Sequence, residues 1–287
     1  MRPTLPLVVL ATLALAGCAA PAPADDGLSV VASTSVYGDL AASVVGDLGT
    51  VTSLIDGAGD PHSFEASARD QLAIAGADLV IANGGGYDPF MEALLDASGS
   101  SAPEIVAVDV SGLPDVASNE HVWYSFEAVS AIVGAIAEQL SALQPADADA
   151  FQSNADALVD QVDALAARAS ALALTGGAAV TEPVPVYLLD AVGLHNVTPV
   201  EFTEAIEEGS DVPPLALQDT IALFDDGAAR VLAYNSQTAS PETERVREAA
   251  TAAGIPVVDF TETLPDGAGY VSWMTANLDA LETALLP

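Results

Sequence analysis

The 287 residues carry 6 basic side chains, all arginine, against 41 Asp plus Glu, a formal charge of −35, with 51% apolar residues. Such a balance repels phosphate backbones and anionic headgroups, so nucleic acid and acidic lipid are excluded as main partners. The apolar content suffices for one large domain or two of ordinary size. The charge reads as a solvated acidic surface and does not by itself imply a metal. A lone cysteine, Cys18, leaves no intrachain disulfide to form.

The chain opens with Arg2 and a short apolar stretch over 5–15, too short to span a membrane comfortably as a mature helix. Leu15-Ala16-Gly17-Cys18 resembles the bacterial lipobox, in which cleavage leaves the cysteine as a lipidated N-terminus. Residues 1–17 therefore read as a lipoprotein signal peptide, and the Ala-, Pro- and Asp-rich residues 18–27 as a flexible tether. No later stretch reads as a transmembrane helix. The expected location is outside the cell membrane, lipid-anchored to its outer face or in the periplasm, with the lipid on Cys18 as the only membrane contact.

Apolar periodicity then predicts strands at 28–33, 51–55, 77–82 and 104–108, and helices at 37–45, 66–75 and 88–97. Helices over 126–143 and 146–172 follow; the second has neither Gly nor Pro and would be about 40 Å long. Beyond Gly176-Gly177 come strands at 178–181, after His195, at 229–234 and at 256–260. They are separated by helices at 186–192, 214–224 and 241–253, and a last helix covers 270–285. Alternating strands and helices with short loops specify an α/β class: two lobes, each a mainly parallel sheet flanked by helices. The expected division is an N-terminal lobe at 28–145, a linking helical spine at 146–173 and a C-terminal lobe at 174–287.

Two of the three histidines sit in loops. His62 lies in Asp60-Pro61-His62-Ser63-Phe64-Glu65, after a strand and a Gly-rich loop, and His121 lies in Asn119-Glu120-His121-Val122-Trp123. Two imidazoles from two loops, with carboxylates available further on, are the beginning of a metal site. His195 reads instead as marking a turn before a strand. Gly84-Gly85-Gly86 lacks the Lys-Ser/Thr of a phosphate loop and reads as a tight turn. Trp123 reads as wall or core.

These motifs resemble the substrate-binding lipoproteins of bacterial zinc and manganese ABC importers. The Asp-Pro-His of residues 60–62 matches the first histidine motif. His121-Val122-Trp123 matches the second, with Asn119-Glu120 in place of Asp-Pro. Ile81-Ala82-Asn83-Gly84 and Ala233-Tyr234-Asn235-Ser236-Gln237-Thr238 match strand ends, and the similarity covers nearly the whole mature chain. The resemblance implies a third ligand at Glu182, in Val180-Thr181-Glu182-Pro183, and a fourth at Glu262, in Thr261-Glu262-Thr263. Glu262 stands where the family has Asp and is one methylene longer, so Asp259 and Asp266 are alternatives. Asp60 and Glu65 are candidates to orient His62 or its loop, with a plain turn role as the equal alternative for Asp60.

The implied function is capture of Zn²⁺ or Mn²⁺, with Fe²⁺ also admissible, by a monomer that delivers it to an ABC permease and its ATPase. The metal is cargo, and no catalytic cofactor or enzyme activity is implied. His62, His121, Glu182 and Glu262 around a divalent ion sum to zero charge, which suits a buried site. Binding needs neutral imidazoles, so affinity is expected to fall as pH drops through about 6.5. A lipid-anchored adhesin or scaffold of the same fold is the alternative. An exported metallohydrolase ranks lower, since no catalytic motif accompanies the histidines.

Overall fold

The computed structural model describes residues 27–57, 64–114 and 116–286. In the first half, β1 (Leu28–Thr34), α1 (Ser35–Val45), β2 (Gly49–Ile55), α2 (Ala68–Ala75), β3 (Leu79–Ala82), α3 (Phe90–Ser98), β4 (Glu104–Val106), α4 (Ala107–Val110) and α5 (Phe126–Leu143) follow in order. The long α6 (Ala148–Leu172) leads to the second half. There β5 (Gly177–Val180), α7 (Val186–Ala191), β6 (His195–Asn196), α8 (Val200–Glu207), α9 (Pro214–Asp225), β7 (Ala229–Asn235), α10 (Pro241–Ala252), β8 (Val257–Phe260) and α11 (Tyr270–Leu285) complete the fold. Each half forms a parallel four-stranded sheet, ordered β2-β1-β3-β4 and β6-β5-β7-β8, so the second repeats the strand order of the first.

The near-continuous apolar strands follow from burial on both faces. Val30 and Ala32 of β1 and Leu79 and Ile81 of β3 join the central core, whereas Val31, Val80 and Ala82 face outward onto Ile74 of α2 and Met91 and Leu94 of α3. In the second sheet Ala178, Val180, Val231 and Ala233 point to that same central core. Ala179, Leu232 and Tyr234 pack outward with Phe202 of α8, Phe224 of α9 and Val246 of α10. One apolar core therefore runs from sheet to sheet. Its axis is α6, which buries Phe151, Ala155, Leu158, Val162, Leu165 and Ala169 at helical spacing. Polar contacts also tie the halves: Tyr270 Oη donates to Trp123 O (2.8 Å), Tyr124 Oη to Thr261 O (2.7 Å), and Thr263 Oγ1 to Gly57 O (2.7 Å).

Structure and sequence reading differ, or need comment, at four places. Strand β4 stops at Val106, and 107–110 turn helical. His195 lies within the two-residue strand β6, not in a turn before it. The 18 residues of α5 are long and apolar enough to cross a membrane by composition, but Val129, Ile132, Val133, Ile136 and Leu140 are buried in the core. The span from 200 to 207, unassigned by periodicity, forms α8. Its eight residues include the β-branched Val200, Thr203 and Ile206, which weaken intrinsic helicity. Burial of Phe202, Thr203 and Ala205 supplies the stabilisation that the sequence does not advertise.

Candidate metal centre

In open parallel sheets the crevice for ligands lies beyond the carboxyl ends of the strands. Glu182 follows the end of β5 by two residues, and Glu262 follows the end of β8 by two. Both are buried, at 2% and 1% exposure. Between them in the sheet runs β7, whose last residue is Asn235. Its Nδ2 donates to Glu182 Oε2 and, at 2.7 Å, to Glu262 Oε1. Thr238 Oγ1 donates to the same Glu182 oxygen, and the Glu262 backbone N–H donates to Gln237 Oε1 at 2.5 Å. Two buried acids are thus held side by side by neutral donors, a juxtaposition that a cation between them would stabilise. Of the acids considered near the last loop, Asp259 and Asp266 are exposed, and Asp259 pairs with Arg247 (3.3 Å). Glu262 alone of the three is buried.

His121 precedes a short 3-10 turn (Val122–Tyr124), and its ring is 1% exposed, edge-on to Tyr87 and Trp123. Trp123 is therefore both core and wall. Asn119 Nδ2 donates to Pro183 O (3.0 Å), so its Oδ1 faces His121. There it accepts from the His121 backbone N–H (3.0 Å) and lies 2.8 Å from Nδ1. An acceptor at Nδ1 puts the ring proton there and leaves the lone pair on Nε2, the tautomer a metal ligand needs. Asn119 also explains the departure from Asp at this position. An Asp could accept from His121 but could not donate to Pro183, the residue after Glu182. Tyr187 Oη donates to Asn119 O (2.7 Å), fastening the same link.

Sequence reasoning missed Glu207, at the C-terminal end of α8. Its Oε1 lies 3.7 Å from His121 Nε2. Glu120, His121 and Glu207 each offer one ligand atom, all within 4.8 Å of one another. Burial first, then the charges of Glu120, Glu182, Glu262 and Glu204, push the Glu207 carboxyl up to about 8. Burial and then Glu262 likewise hold the Tyr87 phenol well above its ordinary value. These mutual influences place Glu207, Glu262, Glu182 and the His121 wall in one electrostatic neighbourhood. The available signal was Phe202-x-x-Ala205-Ile206 after Pro199, a helical apolar spacing that ends on an acid.

The remaining candidates are placed differently. His62, Asp60 and Cys18 lie outside the described residues. Glu65 is exposed, on the chain that leads into α2.

The model of the family described as zinc-uptake complex component A, periplasmic, matches residues 30–284. The chain belongs to this family. Among characterised members, the manganese-binding lipoprotein MntA of Bacillus subtilis is 35% identical over 157 residues, 51% of each chain. The manganese ABC transporter substrate-binding lipoprotein PsaA of Streptococcus anginosus is 26% identical over 167 residues, covering 53% of this chain and 54% of PsaA. The chain thus spans about half the length of the curated relatives it matches. Over the whole fold, the family resemblance extends further. The solved structure of the substrate-binding protein FpvC of Pseudomonas aeruginosa with Mn²⁺ superposes with a TM-score of 0.77 at 27% identity, covering 90% of this chain and 98% of FpvC. The zinc-binding TroA of Treponema pallidum shares the fold, with a TM-score of 0.75 at 20% identity, covering 91% of this chain and all of TroA.

Proposed function

We propose that this chain captures a divalent transition metal, Zn²⁺ or Mn²⁺, between its two α/β halves and presents it to an ABC permease and its ATPase. The proposed ligands are His62, His121, Glu182 and Glu262. The reading rests above all on one juxtaposition: a buried imidazole oriented with Nε2 as its lone-pair nitrogen, linked through Asn119 to the chain beside two buried carboxylates. Imidazole and carboxylate together suit Zn²⁺, Mn²⁺ and Fe²⁺ and disfavour Cu(I). Intrinsic order favours Zn²⁺ in vitro, while the oxygen donors keep the site open to Mn²⁺.

Within this reading the chain is a carrier and not an enzyme, and the metal leaves unchanged. It acts as a monomer, tethered by lipid on Cys18, with lobes at 28–145 and 174–287 about the 146–173 helix. The shared core along α6 and the contacts between halves favour small relative motions over wide opening. Equilibration with metal followed by elemental analysis tests the assignment: one equivalent is expected. His62→Ala and His121→Ala should each abolish stoichiometric binding while far-UV circular dichroism stays unchanged. Undiminished binding in either variant overturns the ligand set.

A further inference from the structure

Glu207 differs from the two carboxylates already assigned. Glu182 and Glu262 accept hydrogen bonds from Asn235. Glu207 Oε1 is buried with no hydrogen-bond partner among the described residues, although the side chain as a whole is 17% exposed. A carboxylate oxygen withdrawn from water without a donor is costly, and native structures rarely keep one without a reason. This oxygen lies 3.7 Å from Nε2 of His121, the nitrogen that the Asn119 contact leaves as the lone-pair donor. With bonds of about 2.1 Å to both atoms, that separation corresponds to an N–metal–O angle of roughly 120°. Both atoms could therefore bind one ion without moving. Glu207 also lines a surface cavity of about 570 Å³, with Glu208, Asp211, Gln237, Thr238 and Glu242. The cavity lining is acidic and holds no basic side chain, which favours a cation over an anion there.

Granted the metal site proposed above, we infer that Glu207 is a fifth donor to the ion bound by His121, and that it tilts selectivity toward ions that take more than four oxygen-rich ligands. Zn²⁺ is satisfied by four ligands in a tetrahedron and gains little from a fifth. Mn²⁺ prefers carboxylate oxygen and a higher coordination number, so it gains more. The position suits this role: Glu207 ends α8, lines the cavity and approaches His121.

Glu207→Gln keeps the shape of the side chain and removes its charge. Mn²⁺ and Zn²⁺ affinities would be measured by chelator competition, with the visible absorption of bound Co²⁺ reporting coordination number. The expected result is Mn²⁺ weakened about tenfold or more, Zn²⁺ by less than about threefold, and a Co²⁺ band that intensifies as five-coordination gives way to a tetrahedron. An unchanged Co²⁺ spectrum overturns the inference, whether the affinities stay the same or fall equally for both metals. His121→Ala separates the two levels. If it loses metal while Glu207→Gln matches the parent protein, the fifth donor alone is wrong. If both variants bind as the parent does, the site itself is wrong.

Discussion

Asn83 and Asn235 hold equivalent places in the two halves. Ala32 of β1 pairs with Ile81 of β3, and Val180 of β5 pairs with Ala233 of β7. Two residues beyond each of those partners comes a buried asparagine. Their amides do different work. Asn83 accepts from the Tyr37 hydroxyl and donates to backbone carbonyls, Gly84 O (2.9 Å) and Glu120 O (3.1 Å), which shapes the turn that ends in His121. Asn235 donates to two carboxylates. The difference follows from what each half brings. A neutral imidazole needs only to be aimed, so its half invests in backbone geometry. Buried carboxylates need donors wherever no cation is present, so their half invests in direct hydrogen bonds.

The largest expected effect tests the carboxylate half. Asn235→Leu removes the donor shared by Glu182 and Glu262 and should cost about 3 kcal/mol of metal-free stability in urea unfolding. Saturating Zn²⁺ should restore part of it, because the cation replaces the lost donors. A loss that metal leaves untouched would break the comparison. In the first half the acid nearest Asn83 is Asp88, which accepts from the backbone N–H groups of Asn83 (2.6 Å) and Gly84 (2.8 Å). Burial raises its carboxyl, and those amides oppose the rise. Asp88→Ala strands both amides and should cost about 2 kcal/mol, equally with and without metal.

Asn119 sharpens the comparison, since it joins the two halves. Asn119→Ala should weaken metal binding about tenfold by freeing the His121 ring. Asn119→Asp should lose less, because the acceptor at Nδ1 remains and only the bond to Pro183 goes. Calorimetric titration with Zn²⁺ would rank the two. The smallest effect is a slope. Glu207 carries a carboxyl raised from 4.5 to about 8, so between those values the folded, metal-free protein binds more protons than the unfolded chain. Stability contributed by this group is present below about 4.5 and lost as pH rises toward 8. The difference in unfolding free energy between the parent and Glu207→Gln should fall with pH across that window, by less than about 1.4 kcal/mol per pH unit. A difference that rises with pH would contradict the placement of Glu207 among like charges.

The α/β class, most element positions and the family were legible from the residues alone. Near-continuous apolar runs in β1, β3 and β7, and apolar residues of helical period in α5, α6 and α11, are local patterns set by which faces are buried. The motif around His121 and the strand ends before Glu182 and Glu262 were equally legible, because each is a short run of residues. What those residues meet depends on the packed fold. Asn235 reaches Glu182 across 53 positions and Glu262 across 27 because parallel register lays β7 between β5 and β8, a pairing that no local spacing encodes. Asn119 reaches Pro183 across 64 positions, from one half to the other. Helix α8, and with it Glu207, exists through the burial of Phe202, Thr203 and Ala205, with Phe202 packed in the second sheet's outer cluster, and not through its own propensity. A short helix gains too little from its own hydrogen bonds to repay nucleation, so its presence is settled by what it packs against.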